Sequence, residues 1–347
     1  MIVEDSRVVR EFLEHIISQD ARFRITCSVG SGEEALRCLP EAAPDVISMD
    51  IRLPGMNGLE LTKRIMCDRP TPIVVVSSDV EDEELKISMS ALRAGALAVV
   101  QKPVGISHAD YEQLAANLRN KLAIMSEVRV IQQRATLRPE TGRASSRSGS
   151  VEPYTATPRL LGLVASTGGP NALVRLINDL AADFPAPIVV VQHITPSFLP
   201  GFVSWLGDVV HFPVVAATHG LPVESGKVYV APADHHLVIG SREHFALTRT
   251  PQVSMQRPSG TVLLSSVARV FGAEAVGVVL TGMGEDGAVG LKDMHEAGAY
   301  TIAEDASTAV VFGMPAACAR TGAAREVLPL TDIGPCVNRL FSQDKAR

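Results

Sequence analysis

Residues 161–170 read Leu161-Gly-Leu-Val-Ala-Ser166-Thr-Gly-Gly-Pro170. An apolar run ends in a Ser-Thr-Gly-Gly turn, and apolar residues then recur at Leu173, Leu176, Ile177 and Leu180, the spacing of one helix face. A strand that feeds a helix through a glycine turn is the repeating unit of a parallel sheet covered by helices. A serine on such a turn is exposed, and the amides at the helix start can stabilise an oxyanion. The stretch is not a full G-x-S-x-G elbow, because Val164 sits at the first glycine position. The same glycines also suggest a phosphate or dinucleotide cradle, but G-x-G-x-x-G is absent and no P-loop lysine follows.

Downstream the alternation continues, with strands expected at 160–165, 187–192, 228–231 and 275–280 and helices between them. A nucleophilic serine needs a base. His193 directly follows the strand 188–192 and so stands at a carboxyl end like Ser166; His219 lies in a turn, and His235 and His236, which flank a loop, suggest a metal but have no matching ligand spacing. Leu280-Thr-Gly-Met-Gly-Glu-Asp286-Gly287 is another strand running into a glycine-rich loop. Asp286 or its neighbour Glu285 can fix the tautomer of an imidazole and offset its charge once protonated.

Upstream, residues 1–123 repeat the pattern. Strands are expected at 1–3, 24–29, 45–49, 72–76 and 96–100, and helices at 6–18, 31–39, 58–66, 81–94 and 109–124. Ligands of open parallel sheets bind at the carboxyl ends of the strands. Glu4 and Asp5, Asp50, Ser77 and Lys102 all fall there. Three gathered carboxylates repel unless a divalent cation neutralises them, and hard oxygen ligands suit Mg²⁺. A carboxylate beside Mg²⁺, with a hydroxyl and a lysine for phosphoryl oxygens, is a site for forming an acyl phosphate.

The expected fold class is therefore α/β twice over: a doubly wound five-stranded parallel sheet at 1–123, a linker at 124–158, and a second, mainly parallel α/β domain at 159–340. The tract 138–158 holds almost no large apolar residues and cannot repay the entropy of ordering. Length fits two domains, since 347 residues exceed one ordinary core. A formal charge of −6 argues against a nucleic-acid binder or a protein held on an anionic membrane. Five cysteines without a CxxC pair read as reduced thiols, and the acidic start does not read as a secretory signal, so a cytoplasmic location is expected.

Two resemblances follow from these motifs. Residues 1 to about 123, with Asp50-Ile-Arg-Leu-Pro-Gly-Met-Asn-Gly58, resemble a response-regulator receiver domain. That implies phosphorylation at Asp50, Mg²⁺ held by Glu4, Asp5, Asp50 and the Arg52 backbone carbonyl, and phosphoryl contacts from Ser77 and Lys102. The family's first strand normally has several more residues ahead of the acid pair than this chain has. ASTGGP at 165–170, QH at 192–193, APADHHL at 231–237, RPS at 257–259, LTGMGEDG at 280–287 and VFGMPAA at 311–317 are similar to the catalytic domain of the chemotaxis methylesterase CheB family. The resemblance implies Ser166 as nucleophile, His193 as base and acid, Asp286 as orienting carboxylate, and oxyanion amides from Thr167 and Met283. Val164, Thr261 and Glu304 depart from the family's usual residues, glutamine being usual at the last.

The implied activity is hydrolysis of glutamate γ-methyl esters on chemoreceptors with release of methanol, and deamidation of receptor glutamines. No cofactor is expected for the ester step. The chemotaxis histidine kinase is the implied phosphoryl donor, methylated chemoreceptors the implied substrate, and recruitment to receptor arrays the implied location. A catalytically inert, receiver-linked signalling or binding protein is the alternative.

Overall fold

The computed structural model describes residues 1–77, 89–103, 105, 111–128 and 154–342. The acidic run at 81–84, most of the helix expected at 81–94, and the tract 138–153 lie outside the described residues.

The first sheet has the order β2-β1-β3-β4-β5, all parallel: β1 Ile2–Val3, β2 Ser28–Val29, β3 Ile47–Met49, β4 Ile73–Ser77 and β5 Ala98–Gln101. Helices α1 Arg7–Ser18, α2 Gly32–Ala42, α3 Gly58–Asp68 and α4 Tyr111–Ser126 flank it. The strands are shorter than their apolar runs. Of 24–29 only the last two residues pair, because β1 offers just two residues to pair with. From β1 the chain steps to β2 on one side and then to β3 on the other. That reversal opens a crevice between β1 and β3 at their carboxyl ends, where Glu4, Asp5 and Asp50 sit.

The second sheet has seven parallel strands in the order β14-β13-β12-β6-β7-β9-β8. They are β6 Leu160–Ala165, β7 Ile188–Gln192, β8 Val214–Ala216, β9 Val228–Val230, β12 Ala275–Val279, β13 Tyr300–Glu304 and β14 Glu326–Leu328. β10 His236–Ile239 and β11 Phe245–Thr248 form an antiparallel hairpin apart from it. Helices α5 Gly169–Asn178, α6 Leu199–Val209, α7 Gly260–Phe271, α8 Ala288–Glu296, α9 Met314–Arg320 and α10 Leu330–Ser342 complete the domain. The four strands expected are present; β8, β13, β14 and the hairpin are additions. Every residue of β6, β7, β12 and β13 is buried, and the first three accordingly read as nearly continuous apolar runs. Here the order reverses between β6 and β12, so a second crevice opens beside Ser166 and the 280–287 loop.

The receiver-like unit lies against this crevice. Asn171 Nδ2 donates to the Leu92 carbonyl at 2.8 Å, and Val310 and Val311 pack on the apolar cluster of β4, β5 and α4. Among the described residues no helix is long and apolar enough to cross a membrane.

Candidate active site and phosphoryl-acceptor site

Ser166 follows β6 directly and is 7% exposed. Its amide donates to the Thr281 carbonyl at 3.0 Å, and its own carbonyl accepts from Gly169 N at 2.9 Å and from Gln192 Nε2 at 2.8 Å. Glycine is required on both sides of it. Gly168 has φ +78°, and a Cβ there would fall 2.6 Å from Val310 Cβ. A Cβ on Gly282 would come within 2.7 Å of Ser166 Cβ. The glycines of both motifs thus let two strand-end loops close on one hydroxyl.

His193 extends β7 by one residue, its amide donating to the Ala165 carbonyl at 3.0 Å, next to Ser166 across the pair. Its ring bonds Asp286 through Nε2 at 2.8 Å to Oδ2, which leaves Nδ1 as the nitrogen able to accept a proton. Among the described hydrogen bonds none joins Ser166 Oγ to the ring, yet both residues line one cavity of about 510 Å³. Such bonds are often long before substrate arrives. Met89, Leu92, Gln113, Asn117, Asn120 and Lys121 supply the opposite wall, so the first unit roofs the cavity.

Asp286 is 2% exposed, whereas Glu285 is exposed, which separates the two candidates. Besides His193 it accepts from Ser259 Oγ at 2.6 Å, Gly260 N at 2.6 Å and Thr261 N at 3.1 Å. Its carboxylate therefore sits on the N-terminus of α7, where free amides and the helix dipole favour an anion. Burial alone would raise its pKa, but the bonds from His193, Ser259 and Gly260 outweigh burial and hold it below the usual carboxylate range.

Thr167 is buried and Met283 exposed; among the described residues neither backbone N–H donates to a protein acceptor, so both remain available to an oxyanion. Thr167 Oγ1 accepts from Lys121 Nζ at 2.9 Å. The other histidines have structural partners. His219 Nδ1 accepts from Leu247 N, His235 lies between the Ala233 carbonyl and Arg249, and buried His236 joins Pro251 O to Ser259 N.

In the first unit Glu4, Asp5 and Asp50 each bring a carboxylate oxygen within 4.8 Å of the others. Lys102 Nζ lies 2.9 Å from Glu4 Oε2 and 3.0 Å from Asp50 Oδ2, and Arg52 N donates to Asp50 Oδ1 at 3.4 Å. Ser77 is buried at the end of β4, and its carbonyl accepts from Lys102 N at 2.8 Å. Gly58 is obligatory, because a Cβ there would stand 2.4 Å from the Asp50 carbonyl oxygen. Burial, then Asp50, push Glu4 up despite Lys102. Burial works against the Lys102 ammonium, but Asp50 and Glu4 overcome it and raise its pKa. One lysine leaves three carboxylates short of neutrality, and the hard oxygen set with its residual negative charge fits Mg²⁺.

A model of the CheB methylesterase domain matches residues 161–337, and one of the response regulator receiver domain matches residues 1–110. The chain belongs to the CheB methylesterase family. It is 54% identical over 333 residues to protein-glutamate methylesterase/protein-glutamine glutaminase 2 of Paramagnetospirillum magneticum, covering 96% of this chain and 94% of that one. A similar enzyme of Nitrosospira multiformis is 40% identical over 99% of this chain and 97% of its own. The CheB catalytic domain of Thermotoga maritima superposes with a TM-score of 0.52 at 36% identity, covering 53% of this chain and all of that one.

In this CheB family member the sequence motifs located the strand-end residues and missed their supports. Ser259, Gly260 and Thr261 hold Asp286 from about 26 residues away. RPS at 257–259 was the available signal, since a serine immediately ahead of an apolar helix is an N-cap. Lys121 carried no signal at all.

Proposed function

We propose that this chain is a protein-glutamate methylesterase whose hydrolytic step runs on Ser166, His193 and Asp286. The single observation that carries this reading is the His193–Asp286 pair, with His193 and Ser166 lining one cavity at the carboxyl ends of the neighbouring strands β7 and β6. His193 Nδ1 takes the Ser166 proton as Oγ attacks the γ-ester carbonyl, and the Thr167 and Met283 amides receive the oxyanion. The imidazolium passes that proton to the departing methanol. Water activated by the same ring then hydrolyses the acyl-enzyme, returning a glutamate side chain. Asp286, ionised on the α7 N-terminus, stabilises the imidazolium throughout. A glutamine amide would follow the same route, releasing ammonia, as the names of the relatives suggest. No step requires a cofactor.

The receiver domain is phosphorylated with Mg²⁺ as cofactor. Glu4, Asp5, Asp50 and the Arg52 carbonyl would hold the cation, which when bound shields the carboxylates from incoming phosphoryl oxygens. Asp50 accepts the phosphoryl group, while Ser77 and Lys102 bind its oxygens. The donor is the chemotaxis histidine kinase, the substrates are methylated chemoreceptors, and the protein works in the cytoplasm at receptor arrays. Since α4 and Leu92 roof the Ser166 cavity, phosphorylation is read out as access to the serine.

Methanol release from methylated receptor tests the chemistry. Ser166→Ala is expected to lower kcat by about 10⁶, as in other serine hydrolases; a Ser166→Ala variant that still turns over would refute the assignment. Acetyl phosphate with Mg²⁺ is expected to raise the rate, and Asp50→Asn to abolish the increase.

A further inference from the structure

We propose that Glu304 is a neutral carboxylic acid that positions the nucleophile: it holds Thr281, and through Thr281 the Ser166–Thr167 segment. The inference deepens the serine-hydrolase reading and rests on it.

Glu304 is the last residue of β13 and is 0% exposed. Its Oε2 accepts from Thr281 N at 2.8 Å, while among the described residues Oε1 meets no hydrogen-bond partner. A buried carboxylate helped only by the Thr281 amide and the neighbouring Thr308 hydroxyl is poorly compensated, and the protonated form is the one such a site retains. Burial pushes the pKa up, the Thr281 amide and Thr308 hydroxyl pull the other way, and Asp305 adds to the rise. Among the described residues no cation acts on it: Thr281 follows β12, Leu328 is its register partner on β14, Thr308 lies in the following loop, and Asp305 is the charged group acting on it.

Thr281 spends every polar atom on the nucleophile turn and its neighbours. Its carbonyl accepts from Ser166 N at 3.0 Å. Its hydroxyl donates to the Thr167 carbonyl at 2.8 Å and accepts from Val311 N at 2.9 Å. Only its amide remains, and Glu304 takes it. The acid thus anchors the amide of a residue that holds the Ser166 amide and the Thr167 carbonyl, the groups on either side of the peptide that carries the Thr167 N–H. An ionised Glu304 would draw water into this junction and loosen it.

The test compares wild type, Glu304→Gln, Glu304→Ala and Ser166→Ala. Infrared spectra at neutral pH should contain a protonated carboxylic carbonyl band in wild type and Ser166→Ala that Glu304→Gln lacks. Because a raised pKa contributes stability that is complete only below the ordinary carboxylate range, wild type should lose stability relative to Glu304→Gln as pH rises from there through the folded-state value. Glu304→Gln keeps the acceptor and should keep kcat within about twofold, whereas Glu304→Ala should lower kcat about tenfold with KM nearly unchanged. An identical infrared spectrum or identical stability–pH curves for wild type and Glu304→Gln overturns the neutral acid. A wild-type kcat in Glu304→Ala overturns the positioning role; should that variant not fold, a Glu304→Gln kcat that fails to survive does the same. Loss of turnover in Ser166→Ala, with its band retained, checks the triad separately.

Discussion

At the scale of single residues, the site is a set of acceptors and donors that cannot be exchanged one for one. Asp286 accepts four hydrogen bonds, from His193, Ser259, Gly260 and Thr261, and donates none. In Asp286→Asn an amide NH₂ must face at least one of those donors, and His193 can no longer be held with Nε2 protonated by an anion. We expect kcat to fall by about 10³–10⁴ and stability by roughly 1–3 kcal/mol. The acid limb of stability has a defined sign. A pKa held below its unfolded value contributes stability that is complete above the ordinary carboxylate range and is lost as pH falls through the folded value. Wild type should therefore destabilise on acidification more steeply than Asp286→Asn, measured by chemical denaturation at stepped pH; parallel curves would exclude Asp286 as the buried anion. Ser166 and His193 were legible as candidates because each directly follows a strand, and the 280–287 glycine loop was legible as the source of a carboxylate. The choice of Asp286 over Glu285 was not, since only burial separates adjacent acids and burial is a tertiary fact.

At the scale of elements, what brings the loops together is missing volume. The loop after β12 reaches the turn after β6 because Gly282 has no side chain; its Cβ would meet Met314 Sδ at 2.4 Å and Ser166 Cβ at 2.7 Å. Gly282→Ala must therefore push the loop or the serine aside, an overpacking cost of about 1–3 kcal/mol. Because a misplacement near 1 Å can cost about 10²-fold in rate, we expect kcat to drop by that order while the cooperative unfolding transition persists. Steady-state kinetics beside thermal melts will decide it, and a variant melted but fully active per folded molecule contradicts the argument. The same scale explains which strands the sequence pattern concealed. β8 and β14 have three residues each, too few for any alternation to show, and they lie at the sheet edges. β13 is wholly buried, yet Thr301 and Glu304 interrupt its apolar run, so it resembles a turn until their partners are known.

At the scale of the whole molecule, the receiver's grip on the hydrolase is not a well-compensated interface. α4 projects Lys121 into the cavity wall, where its ammonium donates to Thr167 Oγ1 at 2.9 Å and, among the described residues, pairs with no acid. Burial pushes its pKa down. One hydroxyl gives about 1 kcal/mol of net hydrogen bonding, less than the desolvation of an ammonium costs, so Lys121 favours the uncovered arrangement even as it touches Thr167. This differs from a latch, which would favour the covered one, and the two ideas predict opposite signs. Lys121→Met keeps the packing and removes the charge, and we expect unphosphorylated esterase activity to fall by about three- to tenfold, with the phosphorylated rate little changed. Uncovering also restores the ordinary lysine pKa and takes up a proton. The bias toward the uncovered form is then full below the lowered value and fades as pH rises toward the ordinary lysine range. Basal rate normalised to the phosphorylated rate should accordingly decline with pH across that window in wild type and stay flat in Lys121→Met. A rise in basal activity on removing the charge would identify Lys121 as a latch and reverse the sign of its coupling to Asp50.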